Sequence, residues 1–220
     1  YPYGRAAAHI TGYTGSGAVG IEAAENFTLL GLNNEISQRA ENILHGVEMQ
    51  GNDVHLTVDM DIQQLAYELL GNNKGAAVVM NPTTGAIIAM ASTPSFNPNT
   101  VNADWNELAN DSSSPMLNRA TQGLYPPGST FKIITALAAM RNMANIDDFT
   151  FDCEGEVEIG NSVIHCYNSR VHGRLNIDDA MAVSCNSTFA TLGKTIGAAK
   201  LRETADNLNA NSAITLEVPL

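Results

Sequence analysis

The sequence predicts an α+β fold. Two short apolar runs joined by a Pro/Gly turn read as a hairpin, and several other segments carry helical apolar spacing. The regular strand–helix alternation of a parallel sheet is missing. The chain has 220 residues, 44% apolar and 15% charged, a composition that fills a packed core and argues against disorder. Eleven Lys and Arg stand against 23 Asp and Glu, a net charge of −12. A surface this acidic repels phosphate backbones, so nucleic acid is excluded as the main partner. No apolar run approaches the ~20 residues needed to span a bilayer, and no signal peptide is visible. Three cysteines cannot all pair within the chain, which excludes a pure disulfide scaffold. Tyr1-Pro2-Tyr3-Gly4-Arg5 and Leu216-Glu217-Val218-Pro219-Leu220 carry no start or stop signal, so the chain reads as a piece of a longer protein.

The elements follow in order. Gly12-Tyr13-Thr14-Gly15-Ser16-Gly17 has the glycine spacing of a phosphate loop, but no strand precedes it and no Lys-Ser/Thr follows, so it reads as turns. Helical patterning is weak around Ile36 to Leu44. Val54 to Val58 alternates and is β-branched, which predicts a strand. Asp59 or Asp61 can cap a helix with an apolar face of Ile62, Leu65, Ala66, Leu69 and Leu70, ended by Gly71 and Asn72. Ala76–Met80 and Ala86–Ala91, joined by Asn81-Pro82-Thr83-Thr84-Gly85, predict a hairpin buried on both faces. Residues 92–118 read as loop. Tyr125-Pro126-Pro127-Gly128 forces a break before a long apolar helix from Ser129 to about Met143. Residues 150–175 read as short strands. Helical patterning resumes at Ile177, breaks near Ser184 to Asn186, and continues through Ala199 to Leu208.

The chemistry sits in Ser129-Thr130-Phe131-Lys132. With 13 serines and 4 lysines, chance supplies about 0.2 Ser-x-x-Lys pairs in such a chain, and spacing alone fits a capping serine beside a surface lysine. The context raises it above that. Pro126-Pro127-Gly128 puts Ser129 at a helix start, and positions three apart share a face, so the Lys132 amine reaches the Ser129 hydroxyl. The positive helix N-terminus and the apolar neighbours Phe131, Ile133 and Ile134 favour the neutral amine. A neutral lysine beside a serine hydroxyl is a base that activates an acyl nucleophile. The Ser129 backbone N–H can serve as an oxyanion donor. Further on, Ser184-Cys185-Asn186 offers a second serine able to relay a proton, and a carboxamide able to hold a substrate amide.

Ser129-Thr130-Phe131-Lys132, preceded by Asn118-Arg119-Ala120-Thr121-Gln122-Gly123-Leu124-Tyr125-Pro126-Pro127-Gly128, resembles the active-site segment of class B penicillin-binding proteins. So do Ser184-Cys185-Asn186-Ser187-Thr188-Phe189, Gly75 to Gly85, and Ala91-Ser92-Thr93-Pro94-Ser95-Phe96-Asn97-Pro98-Asn99. Gly12-Tyr13 and Gly20-Ile21-Glu22 are similar to the end of that family's non-catalytic region. The resemblance implies the penicillin-binding-protein/serine β-lactamase-like fold, an antiparallel sheet with flanking helices. Residues 1–52 would end the pedestal region, and residues 53–220 would form the N-terminal part of a transpeptidase domain. It implies a D,D-transpeptidase that cross-links peptidoglycan through a serine acyl-enzyme. Ser129 would attack the D-Ala-D-Ala carbonyl of a stem peptide, Lys132 would take its proton, Ser184 would relay a proton to the leaving D-Ala, and Asn186 would orient the donor. β-Lactam antibiotics would acylate Ser129. The implied partners are stem peptides, β-lactams and other cell-wall synthesis proteins. The implied location is the extracytoplasmic face of the bacterial membrane, with an anchoring helix upstream of this chain. A β-lactamase, a β-lactam sensor and an inactive scaffold of the same fold are the rival readings.

The family's third motif, Lys-Thr/Ser-Gly on a late strand, is absent. Lys194-Thr195-Ile196-Gly197 has one residue too many and lies in helical pattern. The chain is therefore expected to stop before that motif and to be inactive alone. Finally, Cys153, Cys166, His172 and Cys185 gather within 33 residues. Three thiolates and an imidazole form a plausible structural zinc set, similar to a metal beside the second motif in some class B penicillin-binding proteins. A Cys153–Cys166 disulfide and unlinked buried thiols are the alternatives. The chemistry itself requires no cofactor. His9, His45, His55 and His165 read as structural or surface groups, Trp105 as a packing anchor, and Asp147-Asp148 and Asp178-Asp179 as turns or helix starts.

Overall fold

A computed structural model describes residues 1–15, 17–32, 44–46, 51–213 and 216. The architecture is α+β. The described residues of Tyr1–Leu124 and those of Tyr125–Ile214 form two compact units. Most of the weak helical pattern at Ile36 to Leu44 lies outside the described residues.

The first unit opens with three short helices, α1 (Ala8–Thr11), α2 (Gly20–Ala24) and α3 (Asn26–Leu29). Between α1 and α2, Tyr13 bridges Val19. A Cβ on Gly12, whose φ is +77°, would lie 1.7 Å from the Val19 carbonyl oxygen, so only glycine lets the chain fold back there. Gly12 and Gly15 thus serve close packing, whereas a Cβ on Gly17 would meet nothing. Tyr13 meets Phe96 edge-on at 5.7 Å, and both are buried with Ala8 and Val101.

Helix α4 (Met60–Leu70) is capped by Asp59, whose carboxylate accepts from the Asp61 and Ile62 amides, and it ends at Gly71. The face expected to be buried is not the buried one. Leu65 is 54% and Leu69 76% exposed, whereas Gln63 is fully buried. Its Nε2 donates to the Ala6 and Met90 carbonyls at 2.6 and 3.1 Å, and its Oε1 accepts from the Met90 amide at 2.7 Å. Three backbone partners make a buried carboxamide favourable here, which apolar periodicity cannot register.

Strands β1 (Gly75–Met80) and β2 (Ile87–Thr93) form the expected antiparallel hairpin, from Gly75↔Thr93 to Met80↔Ile87, with a bulge between Val79 and Met80. Its turn is tied by Asn81 Oδ1, which accepts from the Thr83 and Thr84 amides. Burial on both faces is corrected for β1. Only β2 is deeply buried, while Val78, Val79 and Met80 are exposed among the described residues. The strand expected at Val54 to Val58 does not form. That segment runs beside β2, but its links are one backbone bond, Asp59 N–H to the Ile88 carbonyl, and a Thr57 hydroxyl bond to the Ile87 carbonyl. Val54 and Val58 pack instead on the Ile10, Ile21 and Met90 cluster. The expected loop at 92–118 contains helix α5 (Val101–Asn110). Its sequence is mostly polar, and its hold comes from Val101 and Leu108 packing with Phe96 and Tyr13, contacts that only the tertiary fold supplies. Trp105 tilts against Tyr13 at 6.4 Å, as a packing anchor.

The second unit begins with a 3₁₀ turn (Gly128–Thr130) that runs into α6 (Phe131–Asn142). Then come β3 (Phe151–Cys153), β4 (Glu156–Ile159), β5 (Ser162–His165) and β6 (Gly173–Leu175), paired antiparallel as β3 with β6 and β4 with β5. Helices α7 (Ile177–Ala182), α8 (Asn186–Ile196) and α9 (Ala198–Asn207) complete it. Helix α6 packs on α8 and α9. The core gathers Ala139, Leu175, Phe189 and Leu192 around all three cysteines.

Replacing Gln63 by leucine leaves the Met90 amide and two carbonyls buried without partners. The expected loss is about 2–3 kcal/mol in urea denaturation. His9 Nε2 lies 3.0 Å from the Pro115 carbonyl. Burial pushes its imidazolium down to about 4, the Pro115 carbonyl opposes this, and the Arg119 charge adds to it. An unfolded histidine takes its proton near 6.5, so this contribution to stability is complete above that pH and is lost as pH falls toward 4. The expected loss is at most about 3 kcal/mol. Denaturation followed across that range measures it, and His9→Gln should flatten the slope.

Candidate active site

Two backbone devices bring four side chains together. The first is the 3₁₀ turn after Pro126-Pro127. The Pro127 carbonyl accepts from the Thr130 amide and hydroxyl, and Gly128 adopts φ +55°. In 3₁₀ geometry positions three apart eclipse, so Ser129 faces Lys132 across one turn. The helix expected from Ser129 thus starts two residues later, at Phe131, and the serine sits on its 3₁₀ lead-in. The second device ends α7. The Ser184 amide bonds to the Met181 carbonyl and the Cys185 amide to the Ala180 carbonyl, with Ser184 at φ +53°. This is the Schellman pattern, whose left-handed position normally falls to glycine. A serine there is strained backbone. The chain then re-enters α8 under a cap in which Cys185 Sγ accepts from the Thr188 amide at 3.5 Å.

The four residues meet at one nitrogen. Lys132 Nζ lies within hydrogen-bond distance of the Ser184 carbonyl (2.6 Å), Asn186 Oδ1 (2.6 Å), Ser184 Oγ (2.8 Å) and Ser129 Oγ (3.3 Å). Ser184 Oγ donates to Ser129 Oγ at 3.1 Å. Lys132 is buried, 8% exposed. Its neighbours are uncharged oxygens and the Phe189 ring, 5.8 Å below. Among the described residues the ion pairs are His165–Glu156 and Lys200–Glu203, so no carboxylate holds Lys132. Burial lowers its pKa from the ordinary 10.5, while the Cys185 and Cys166 sulfurs, when ionised, pull it back up.

Asn186 is fixed from behind, because its Nδ2 donates to the His165 carbonyl at 2.9 Å. That carbonyl had no signal in the sequence, since a backbone acceptor at the end of β5 can be any residue. Beneath the Ser184–Asn186 loop lies the thiol cluster. The ligand atoms of Cys153, Cys166, His172 and Cys185 all lie within 4.8 Å of one another. Cys153 Sγ is 3.6 Å from Cys166 Sγ and 3.4 Å from His172 Nδ1, and Cys166 Sγ is 3.7 Å from Cys185 Sγ. All three cysteines are buried and unbonded to one another, so the disulfide alternative is not what the structure contains. Burial pushes the Cys166 thiol up, but hydrogen bonding from Ser187, Cys153 and Cys185 outweighs it and brings it down to about 6. The Ser187 and Thr188 hydroxyls, 3.3 and 3.1 Å from sulfur, were not singled out in the sequence. A cavity of about 640 Å³ lined by Ile10, Ile21, His55 and Met90 in the first unit contains none of these groups.

The family model of the penicillin-binding protein transpeptidase domain matches residues 75–219. The chain belongs to the penicillin-binding protein transpeptidase family. Family members among curated proteins include the peptidoglycan D,D-transpeptidase PbpA of Mycolicibacterium smegmatis, 32% identical over 99% of this chain and 49% of that protein. The D,D-transpeptidase domain of a peptidoglycan glycosyltransferase from Eggerthella lenta superposes with TM-score 0.85 at 38% identity, covering 100% of this chain and 50% of that one. Penicillin-binding protein A from M. tuberculosis, solved as a penicillin G acyl-enzyme complex, gives TM-score 0.85 at 29% identity over 94% of this chain and 52% of that one. The chain thus spans about half the length of the relatives it matches. No described helix is long and apolar enough to cross a membrane.

For this transpeptidase-family site, titration of ¹⁵N-labelled Lys132 is expected to show its ammonium losing a proton below the ordinary 10.5. A value at or above 10.5 would mean that the thiol charges outweigh burial.

Proposed function

We propose that this chain carries the acylating half of a peptidoglycan D,D-transpeptidase site, with Ser129, Lys132, Ser184 and Asn186 as its catalytic residues. The observation that carries this reading is the buried Lys132 amine, ringed by uncharged oxygens and touching both serine hydroxyls. One proton arrangement readies Ser129 for attack. A neutral amine gives its two N–H groups to the Ser184 carbonyl and Asn186 Oδ1, which can only accept. Its lone pair then receives the Ser129 O–H, and Ser184 donates to Ser129 Oγ.

From that state, Ser129 Oγ attacks the carbonyl of the D-Ala-D-Ala bond as its proton passes to Lys132. The C–N bond breaks, and Ser184 hands a proton from Lys132 to the departing D-Ala amine. An amine of a neighbouring stem peptide then attacks the ester, returning the proton to Ser129 along the same route. Asn186 keeps Lys132 in place with Oδ1, and the second N–H of its amide is left to orient the donor peptide. The acyl-enzyme of the M. tuberculosis relative supports β-lactam acylation of the corresponding serine here.

The same reading extends outward. Residues 1–52 are proposed as the end of a non-catalytic pedestal and residues 53–220 as part of the transpeptidase domain. The protein would work outside the cytoplasmic membrane, where its substrate lies, beside other cell-wall synthesis proteins. The four-residue sulfur and imidazole cluster is proposed as a structural zinc site. A tetrahedral zinc with bonds of about 2.3 Å to sulfur and about 2.1 Å to nitrogen sets donor separations of roughly 3.5–3.8 Å, and the three closest contacts here are 3.4, 3.6 and 3.7 Å. Bound there, zinc would supply no chemistry to the reaction. It would hold Cys185, and with it the loop between Ser184 and Asn186.

Two measurements test these readings on the full-length protein. Intact mass after penicillin treatment should show one adduct mapping to Ser129, absent from Ser129→Ala. An adduct that turns over within seconds would instead favour a β-lactamase. Acylation without cross-linking of stem peptides would favour a sensor, and no adduct at all a scaffold. Metal analysis should find one zinc per chain, and Cys185→Ser should lose it and melt several degrees lower, in the range of about 2–8 °C. A metal-free protein with Cys153 and Cys166 joined as isolated would remove the zinc reading.

A further inference from the structure

We propose that Cys153 and Cys166 are an oxidant-sensitive pair whose closure to a disulfide switches off acylation at Ser129. The inference rests on the transpeptidase reading of Ser129. The two sulfurs are 3.6 Å apart and unbonded, so they need to approach by only about 1.5 Å to reach a bond of about 2 Å. Cys166 is almost equally near Cys185, at 3.7 Å. Cys185 is the less available partner, because its sulfur accepts from both the amide and the hydroxyl of Thr188 as the cap of α8. Cys153 ends the three-residue strand β3, and Cys166 stands just past β5 at the start of a 3₁₀ turn, its amide donating to the Gly155 carbonyl, its carbonyl accepting from the Ser169 amide and its sulfur 3.3 Å from the Ser187 hydroxyl.

The position of Cys166 gives the bridge its consequence. Cys166 is peptide-bonded to His165, whose carbonyl accepts from Asn186 Nδ2 at 2.9 Å. Asn186 Oδ1 in turn accepts from Lys132 Nζ at 2.6 Å. A shift of Cys166 toward Cys153 therefore moves the anchor of Asn186, and the amine that activates Ser129 loses a fixed partner. The bridge also removes two of the four metal donors. Cys185 and His172 alone cannot make a closed tetrahedral set, so bridging and metal binding exclude each other.

Hydrogen peroxide is the class of oxidant proposed, small enough to enter beside the half-buried His172, 3.4 Å from the Cys153 sulfur. One sulfur, as thiolate, attacks a peroxide oxygen. The O–O bond breaks, and the released hydroxide leaves as water with the thiol's proton. The second sulfur then attacks the resulting sulfenic acid, the S–O bond breaks, and a second water leaves with the second thiol's proton. The two sulfurs lose two electrons, and the peroxide gains them.

The test uses the full-length protein, stripped of metal by EDTA and reduced, then treated or not with hydrogen peroxide, with a zinc-reloaded sample alongside. Peptide mapping identifies the bridge, and the rate of adduct formation with a fluorescent penicillin reads the site. The expected result is a Cys153–Cys166 peptide short of two hydrogens, acylation slowed at least about tenfold, recovery with dithiothreitol, and resistance in the zinc-loaded sample. A Cys166–Cys185 linkage, or no bridge, overturns the proposal. So does a bridged protein that acylates as fast as the reduced metal-free one, or a loss of rate that dithiothreitol does not reverse. A reduced protein that forms no adduct at all overturns the transpeptidase reading and the switch with it, whereas equal rates before and after bridging overturn the switch alone.

Discussion

The second unit is organised around a single cost, the burial of one amine without a counter-charge. Taking an ammonium out of water is unfavourable by several kcal/mol unless an opposite charge compensates it. Lys132 receives dipoles in place of a carboxylate, from two carbonyl-type oxygens and two hydroxyls. Dipoles satisfy its N–H groups, but they do not stabilise the extra proton as a carboxylate would. The balance therefore tilts toward the neutral amine, the form that can accept a proton from a neighbouring hydroxyl. A carboxylate in the same place would make a more stable ion pair and a worse base.

That arrangement works only while the loop from Ser184 to Asn186 keeps its shape, and the loop is not intrinsically stable. Ser184 sits in left-handed backbone, which costs a non-glycine residue of order 1 kcal/mol or more. The compensation comes from beneath. Cys185 caps α8 and joins the sulfur cluster, and the His165 carbonyl holds the far side of Asn186. Strain at Ser184 is thus offset by a compact group of buried sulfurs beneath it. On the proposed zinc and redox readings, the same group is the place where a change would be felt at the amine.

In the first unit the same logic of satisfied polar groups explains its departures from apolar patterning. Gln63 is buried because three backbone groups along α1's approach and β2 need a partner, and His9 is buried because the Pro115 carbonyl receives its ring. Meanwhile Leu65, Leu69 and the outer residues of β1 remain exposed among the described residues. Apolar spacing located α4 correctly and pointed its face the wrong way.

Local chemistry was legible in the residues alone. Pro-Pro-Gly before Ser-x-x-Lys marks a turn and a helix start wherever it occurs, Asp59 and Gly71 bracket a helix, and Asn81 to Gly85 make a hairpin turn, because each acts through bonds a few residues long. The four candidate site residues were readable for the same reason, as residue types in short words, and the cysteine–histidine set as four ligand types within 33 residues. What the words could not contain was distance between them. The 52 positions from Lys132 to Ser184 collapse to 2.8 Å only when α6 packs on α8. The helix at Val101–Asn110, the failure of the strand at Val54 to Val58 and the carbonyl of His165 were equally silent. Each depends on partners far along the chain, and a backbone group carries no letter of its own.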